Sequence, residues 1–170
     1  GSTNGGRCGG GGSGGSIWLE AGTFAGTGTI SSDGGSSVNS SYDGGGGAGG
    51  RIAVYSGTDT FSGEITAFGG WGYRDGGAGT ILRQVGAEQY GTLRIDNNGS
   101  DSTPTFLGLE EYVFDAVNLK GARILFGEEY AFSGGDFTVE TGASILDVPA
   151  QSPIVPGASS LTVEDGAVLS

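Results

Sequence analysis

One pattern recurs through the first half of the chain and limits what it can fold into: a glycine tract that ends in a short apolar run. Residues 12–19 read GSGGSIWL, residues 47–54 read GAGGRIAV, and residues 77–82 read GAGTIL, a shorter third copy. A second apolar position follows in each copy, at Gly28-Thr29-Ile30, Gly63-Glu64-Ile65 and Gly91-Thr92-Leu93. The first two copies lie 35 residues apart, and the third follows after 29 or 28. Repeats of this period mean stacked units, none of which buries its apolar face alone.

The apolar runs are three to five residues long, rich in Ile, Val, Leu, Thr and aromatics, and punctuated by Gly, Ser, Asn and Asp. That pattern reads as short strands joined by turns. Glycine costs roughly 1 kcal/mol at each interior helix position, so helix is disfavoured through most of the chain. Units repeated in the same order favour strand one on strand one and strand two on strand two. The expected fold is an all-β, parallel β-solenoid of about six coils with glycine-rich corners, in which Ile17, Ile52 and Ile81 form one inward ladder. The glycines are expected at corners with positive φ and where backbones approach closely. Two other readings of the tracts are a flexible linker and a phosphate-cradling loop. The second fails, because no lysine follows a tract in Walker spacing and no helix pattern follows.

A second repeat family fills the other half. LKGARIL at 119–125, VETGASIL at 139–146 and VEDGAVL at 163–169 share a strand, a one-glycine corner and a strand, with glycines stepping by 21 and then 24 residues. The stretch 109–120 fits both a helical face and strand alternation, and the motif after it favours strand. Pro149, Pro153 and Pro156 mark an excursion between the last two coils. The organisation expected is one continuous unit over 1–170, with long glycine-rich coils to residue 99 and shorter coils over 100–170. The chain starts inside a glycine tract and stops directly after a repeat motif, so it reads as part of a longer protein.

The chain has 170 residues, 39 of them glycine, and a formal charge of −12 from 19 acids against 7 bases. Lys120 is its one lysine, and histidine and methionine are absent. So acidic a surface argues against nucleic acid as a partner, since that binding rests on Lys and Arg at phosphates. It argues against anionic membranes as well, and no apolar run is long enough for a membrane span. Cys8 stands alone: an internal disulfide is impossible, and it reads as a residue whose partner lies outside this chain, or as an intermolecular bridge.

GGGGSGGSIWLEAGTFAGTGTISSDGG, followed by GGGGAGGRIAVYSG, FSGEITAFGG, GGAGTILR and YGTLRIDN, resembles the glycine-rich repeat region of very large secreted or cell-surface proteins. The later VExGAx[IV]L units are similar to the coils of right-handed parallel β-helix adhesins and pectin-lyase-like proteins. The resemblance covers nearly the whole chain and implies a right-handed parallel β-helix. It also implies an extracellular or cell-surface location and a structural or adhesive role. Some relatives of that kind bind or cut polysaccharides.

For catalysis, the candidates are Glu20, Glu64, Arg51, Arg83, Arg94 and Asp96, although glycoside hydrolysis needs a carboxylate pair about 5–9 Å apart that sequence alone does not place. The reading is non-enzymatic, with no cofactor except, as an option, Ca2+. Its candidate ligands are Asp33, Asp43, Asp96 and Asp101, because loop carboxylates suit a hard cation. Trp18, Tyr55, Trp71 and Tyr73 are candidates for stacking on glycans, against a structural role capping the core. Asn39 and Asn98 sit in N-glycosylation triplets. The pairs Thr27/Thr29 and Thr58/Thr60 invite an ice-binding face but lie 31 residues apart in a 35-residue repeat, so they do not stack. Open strand edges make identical chains possible partners in an end-to-end polymer.

Overall fold

A computed structural model describes residues 9–37, 44–100, 102–107, 111–126, 131–133, 135–146 and 160–169. Its secondary structure is strand throughout, including the ambiguous stretch, which carries β8 (Glu111–Val113) and β9 (Ala116–Lys120). The main sheet has seven strands in the order β1 (Ser16–Gly26), β3 (Arg51–Phe61), β5 (Thr80–Val85), β6 (Thr92–Asp96), β9, β12 (Asp136–Val139) and β14 (Ser160–Val163). A four-stranded sheet runs β15 (Val168–Leu169), β13 (Ser144–Leu146), β10 (Arg123–Phe126) and β7 (Thr105–Leu107). Two-stranded sheets pair β2 (Thr29–Ser31) with β4 (Glu64–Thr66) and β8 with β11 (Ala131–Ser133).

Repeat-to-repeat register follows the sequence alignment. Ile17 pairs with Ile52 and Ile52 with Ile81, all in parallel. Leu119, Val139 and Val163 form the same kind of row, as do Ile124, Ile145 and Leu169. Parallel pairing puts like residues over like, so each apolar side chain meets its own equivalent. The corners between these rows use glycine as expected: Gly121, Gly142 and Gly166 have φ of 49°, 79° and 80°, a region that costs other residues roughly 1–2 kcal/mol.

One pairing departs from the alignment. Gly91-Thr92-Leu93 matches Gly63-Glu64-Ile65 in sequence, yet β6 does not stack on β4. It returns antiparallel along β5, with Leu82 opposite Leu93 and Ile81 opposite Arg94. Gly86 and Gly91, at φ 60° and 79°, bound the turn. Asp115 pins it, accepting the Tyr90 and Gly91 N–H groups at 2.9 and 2.7 Å. These backbone bonds, from Tyr90 first and then Gly91, hold its carboxyl below the ordinary value.

This reversal moves the core to the other side of the sheet. Ile52, Val54 and Ile81 bury on one face, with Ile65 and Ala67. Leu93 shares the face of Leu82, opposite that of Ile81, and from Leu93 onward the buried rows lie there: Leu93, Val117 and Phe137, then Ile95, Leu119 and Val139. In place of one column the described residues contain two core clusters, on opposite faces of a continuous sheet.

The glycine tracts are a further correction. The tract glycines are not among those with positive φ, so they are not tight corners. Residues 9–15, 32–37, 44–50, 67–70 and 76–79 run as extended segments packed side by side. Within 44–50, Gly46 and Gly49 donate to Arg74 and Gly77 at 2.9 Å, while Gly47 and Gly50 donate to Gly35 and Ser32 at 2.9 and 2.7 Å. Every third N–H therefore points to the same neighbour, the three-residue repeat of polyproline II. A Cβ on Gly49 would stand 1.9 Å from the Ala67 carbonyl oxygen, whereas one on Gly12, at the outer side, would meet nothing within 4 Å. The tracts are glycine so that backbones can touch.

Candidate ligand-binding face

Alternation along β1, β3 and β5 turns Ile17, Leu19, Ile52 and Val54 inward and Trp18, Glu20, Ala53, Tyr55, Leu82 and Gln84 to the other face. On that face Trp18 and Tyr55 meet, with ring centroids 4.5 Å apart and planes tilted by 34°. Trp18 is 67% exposed and Tyr55 half-buried. Parallel register sets Glu20 beside Tyr55. The result is an exposed aromatic step, with Glu20 on one side of it and the apolar side chains of Ala53 and Leu82 on the other. The other two aromatic candidates lie elsewhere, on the loop that follows residues 67–70. Trp71 and Tyr73 are 75% and 79% exposed there, and their backbones bond to Ser37 and Gly44. The four aromatics thus form one contacting pair and two separate exposed rings.

The charged candidates are dispersed. Arg83 is ion-paired with Asp59 and lies 5.9 Å from the centroid of the Phe24 ring, which stacks on Phe61 at 4.5 Å. Arg94 pairs with Asp96 at 2.5 Å, and Asp96 also accepts the Asn98 N–H at 2.8 Å. Glu20 on β1 and Glu64 on β4 are both exposed, on different sheets. Arg51 lies on β3 beside Ser16 and Thr80. Among the described residues no hydrogen bond or ion pair joins any of these acids to another.

The cation candidates are occupied by protein donors. Asp33 accepts Ser31 Oγ at 2.7 Å, Thr66 Oγ1 at 3.0 Å and the Phe68 N–H at 2.7 Å. Asp96 is committed as described, and Asp43 and Asp101 lie outside the described residues. Among the described residues no group of three or more His, Cys, Asp or Glu side chains is placed to hold a metal. Asn98, at φ 53°, is exposed in a turn with Gly99; Asn39 and Cys8 lie outside the described residues. Thr58 pairs with Thr23 and Thr60 with Ala25, so the Thr-x-Thr pairs do not rank. No helix among the described residues is long and apolar enough to cross a membrane.

Sequence reasoning missed Asn97. Its side chain is 2% exposed, accepts the Gly69 N–H at 2.7 Å and donates to Gly76 O at 3.2 Å. It ties the glycine segments to the start of the second core. The one available signal was its place in an Asp-Asn-Asn-Gly turn, which marks a turn but not a buried amide.

Set against protein-family models, curated proteins and solved structures, the chain matches none of them.

Proposed function

We propose that this chain is a non-enzymatic structural or adhesive segment of an extracellular or cell-surface protein, wound as a right-handed parallel β-helix and resembling glycine-rich adhesin repeats. The observation that carries this reading is the register. Equivalent residues of successive repeats pair in parallel, Ile17 to Ile52 to Ile81 and Leu119 to Val139 to Val163. A chain built from such rows presents long, regular faces. Its acidity suits salty surroundings, where charge is screened. Identical chains can also add at open strand edges, which makes an end-to-end polymer part of the proposal.

A polysaccharide-turnover assay across neutral and acidic glycans tests the non-enzymatic reading. We expect no turnover; turnover abolished by Glu64→Gln would overturn it. Sedimentation over a concentration series tests self-stacking. Growth of the weight-average mass with concentration supports it, and a constant monomer mass removes it while leaving adhesion standing. A second reading, carbohydrate binding, is favoured by the exposed Trp18–Tyr55 pair, because sugar faces stack on aromatic rings. Retention of the chain on a glycan array, lost in Trp18→Ala, is its expected sign.

A further inference from the structure

The change of core face leaves an opening. Because Leu82 sits opposite Leu93, the outer face of β1, β3 and β5 runs without a break into the inner face of the second core. Where they meet is a groove of about 780 Å³. Trp18, Ala53, Leu82 and Leu93 form its floor, and Phe106, Leu107 and Phe114 line it as well. Phe106 is 59% exposed. Backbone of the glycine segments, at Gly14, Gly49 and Gly79, closes another side. Small-molecule sites have this character: concave, about 300–1,000 Å³, mostly apolar, with a few polar groups.

The charge in the groove is the discriminating feature. The whole chain carries 19 acids against 7 bases, yet the one charged side chain among the described lining residues is Arg51. By contrast, Arg83 and Arg94 are ion-paired with Asp59 and Asp96. Arg51 makes no ion pair or side-chain hydrogen bond among the described residues, and it is exposed. Hydroxyls of Ser16 and Thr80 flank it in register on the neighbouring strands. An unmatched guanidinium beside an apolar trough, on a surface that otherwise repels anions, selects for an anion with an apolar body.

The geometry points to a binding site for a small amphipathic carboxylate, its flat or aliphatic body laid along Trp18, Leu82 and Phe106 and its carboxylate on Arg51. This goes beyond the structural role proposed above and does not depend on it. Charge-assisted bonds from a guanidinium to a carboxylate supply the selectivity.

Isothermal titration of the whole chain with 2-naphthoate, and with 2-naphthalenemethanol as its neutral counterpart, tests the site. We expect saturable one-to-one binding of the carboxylate, about tenfold tighter than the alcohol. Arg51→Gln should bring the carboxylate down to the alcohol's affinity, and Trp18→Ala should weaken both ligands together. Both positions are exposed, and unchanged far-ultraviolet circular dichroism would show that the variants fold. Equal affinity for the two compounds, an unaffected Arg51→Gln, or no saturation at millimolar ligand would each overturn the proposal. So would naphthoate binding that disappears as the protein is concentrated, because a second copy of the chain would then fill the groove.

Discussion

The two halves of this molecule solve one problem with different materials. From β6 onward, stability comes from side chains: Phe137, Ile95, Leu119, Ile124 and Ile145 are almost fully buried and stacked row on row. Up to and including β5 the apolar cluster is smaller, with Ile52, Val54, Ile65, Ala67 and Ile81 at its centre. Beside that cluster lie the glycine segments, which bond backbone to backbone with several neighbouring segments at once. Removing side chains lets main chains close to hydrogen-bond distance, so polar groups that would be costly to bury are paired by other main chains. A low apolar content is therefore no obstacle to packing when the chain dispenses with Cβ atoms in the right places. What such a region loses is tolerance, since at its inner positions, such as Gly46, Gly49 and Gly79, an added Cβ would stand within 2 Å of a carbonyl oxygen.

The contrast can be broken from either side. The largest effect expected is at Phe137→Ala in the side-chain core, a loss of about 3–5 kcal/mol from lost burial and the cavity left behind. It would be read as a lower urea midpoint with an unchanged slope. In the glycine region the opposite operation does the damage. Gly49→Ala adds one methyl group 1.9 Å from a carbonyl oxygen and should cost about 1–3 kcal/mol or more by overpacking. Gly12→Ala, with open space around it, should leave the thermal midpoint within about a degree or two of the parent. If the two alanines behave alike, main-chain contact is not what the glycines are for.

Gly142 sharpens the comparison, because it is glycine for a different reason. A Cβ there would meet nothing nearer than 3.6 Å, but φ is 79°. Gly142→Ala should cost about 1–2 kcal/mol in the denaturation midpoint, and Gly142→Asn distinctly less, since Asn visits the left-handed region more readily. Asparagine at Gly49 should show no such relief. A further effect, smaller than those at Phe137, Gly49 and Gly142, is expected at the junction. The lowered pKa of Asp115 means that its contribution is present above the unfolded value and is lost as pH falls through the folded one. Asp115→Asn should therefore lower the melting temperature at pH 7. The difference from the parent should close as pH drops below the ordinary carboxyl value of 3.8.

The rows of like residues were legible because alignment of the copies states their register directly: Ile17, Ile52 and Ile81 pair as their positions in the repeat imply. The corners at Gly121, Gly142 and Gly166 were legible for the same reason. The tracts were half legible. Composition announces glycine, but close approach and left-handed turns both ask for it, and only the three-dimensional neighbours separate them. The reversal after β5 was hidden, since Gly91-Thr92-Leu93 copies the earlier motif. Length does not betray it either: two residues part β3 from β4 and six part β5 from β6, so the link suits a corner as well as a hairpin. Of the aromatic face, the Trp18–Tyr55 contact is diagonal between adjacent strands, which follows once register is known. That Trp71 and Tyr73 stand apart from it depends on loop geometry that no spacing encodes.

At the Gly86–Gly91 turn two things invert together, the direction of the strands and the side on which the core lies. The order in which strands are added does not change. Those three conditions describe a half-rotation about the line along which strands accumulate, and a rotation, unlike a reflection, conserves hand. Whichever sense the chain winds in before the turn, it can keep after it, with one half leaning out from each surface of the shared sheet. A single short turn thus lets a repeat array sidestep its own axis without becoming its mirror image.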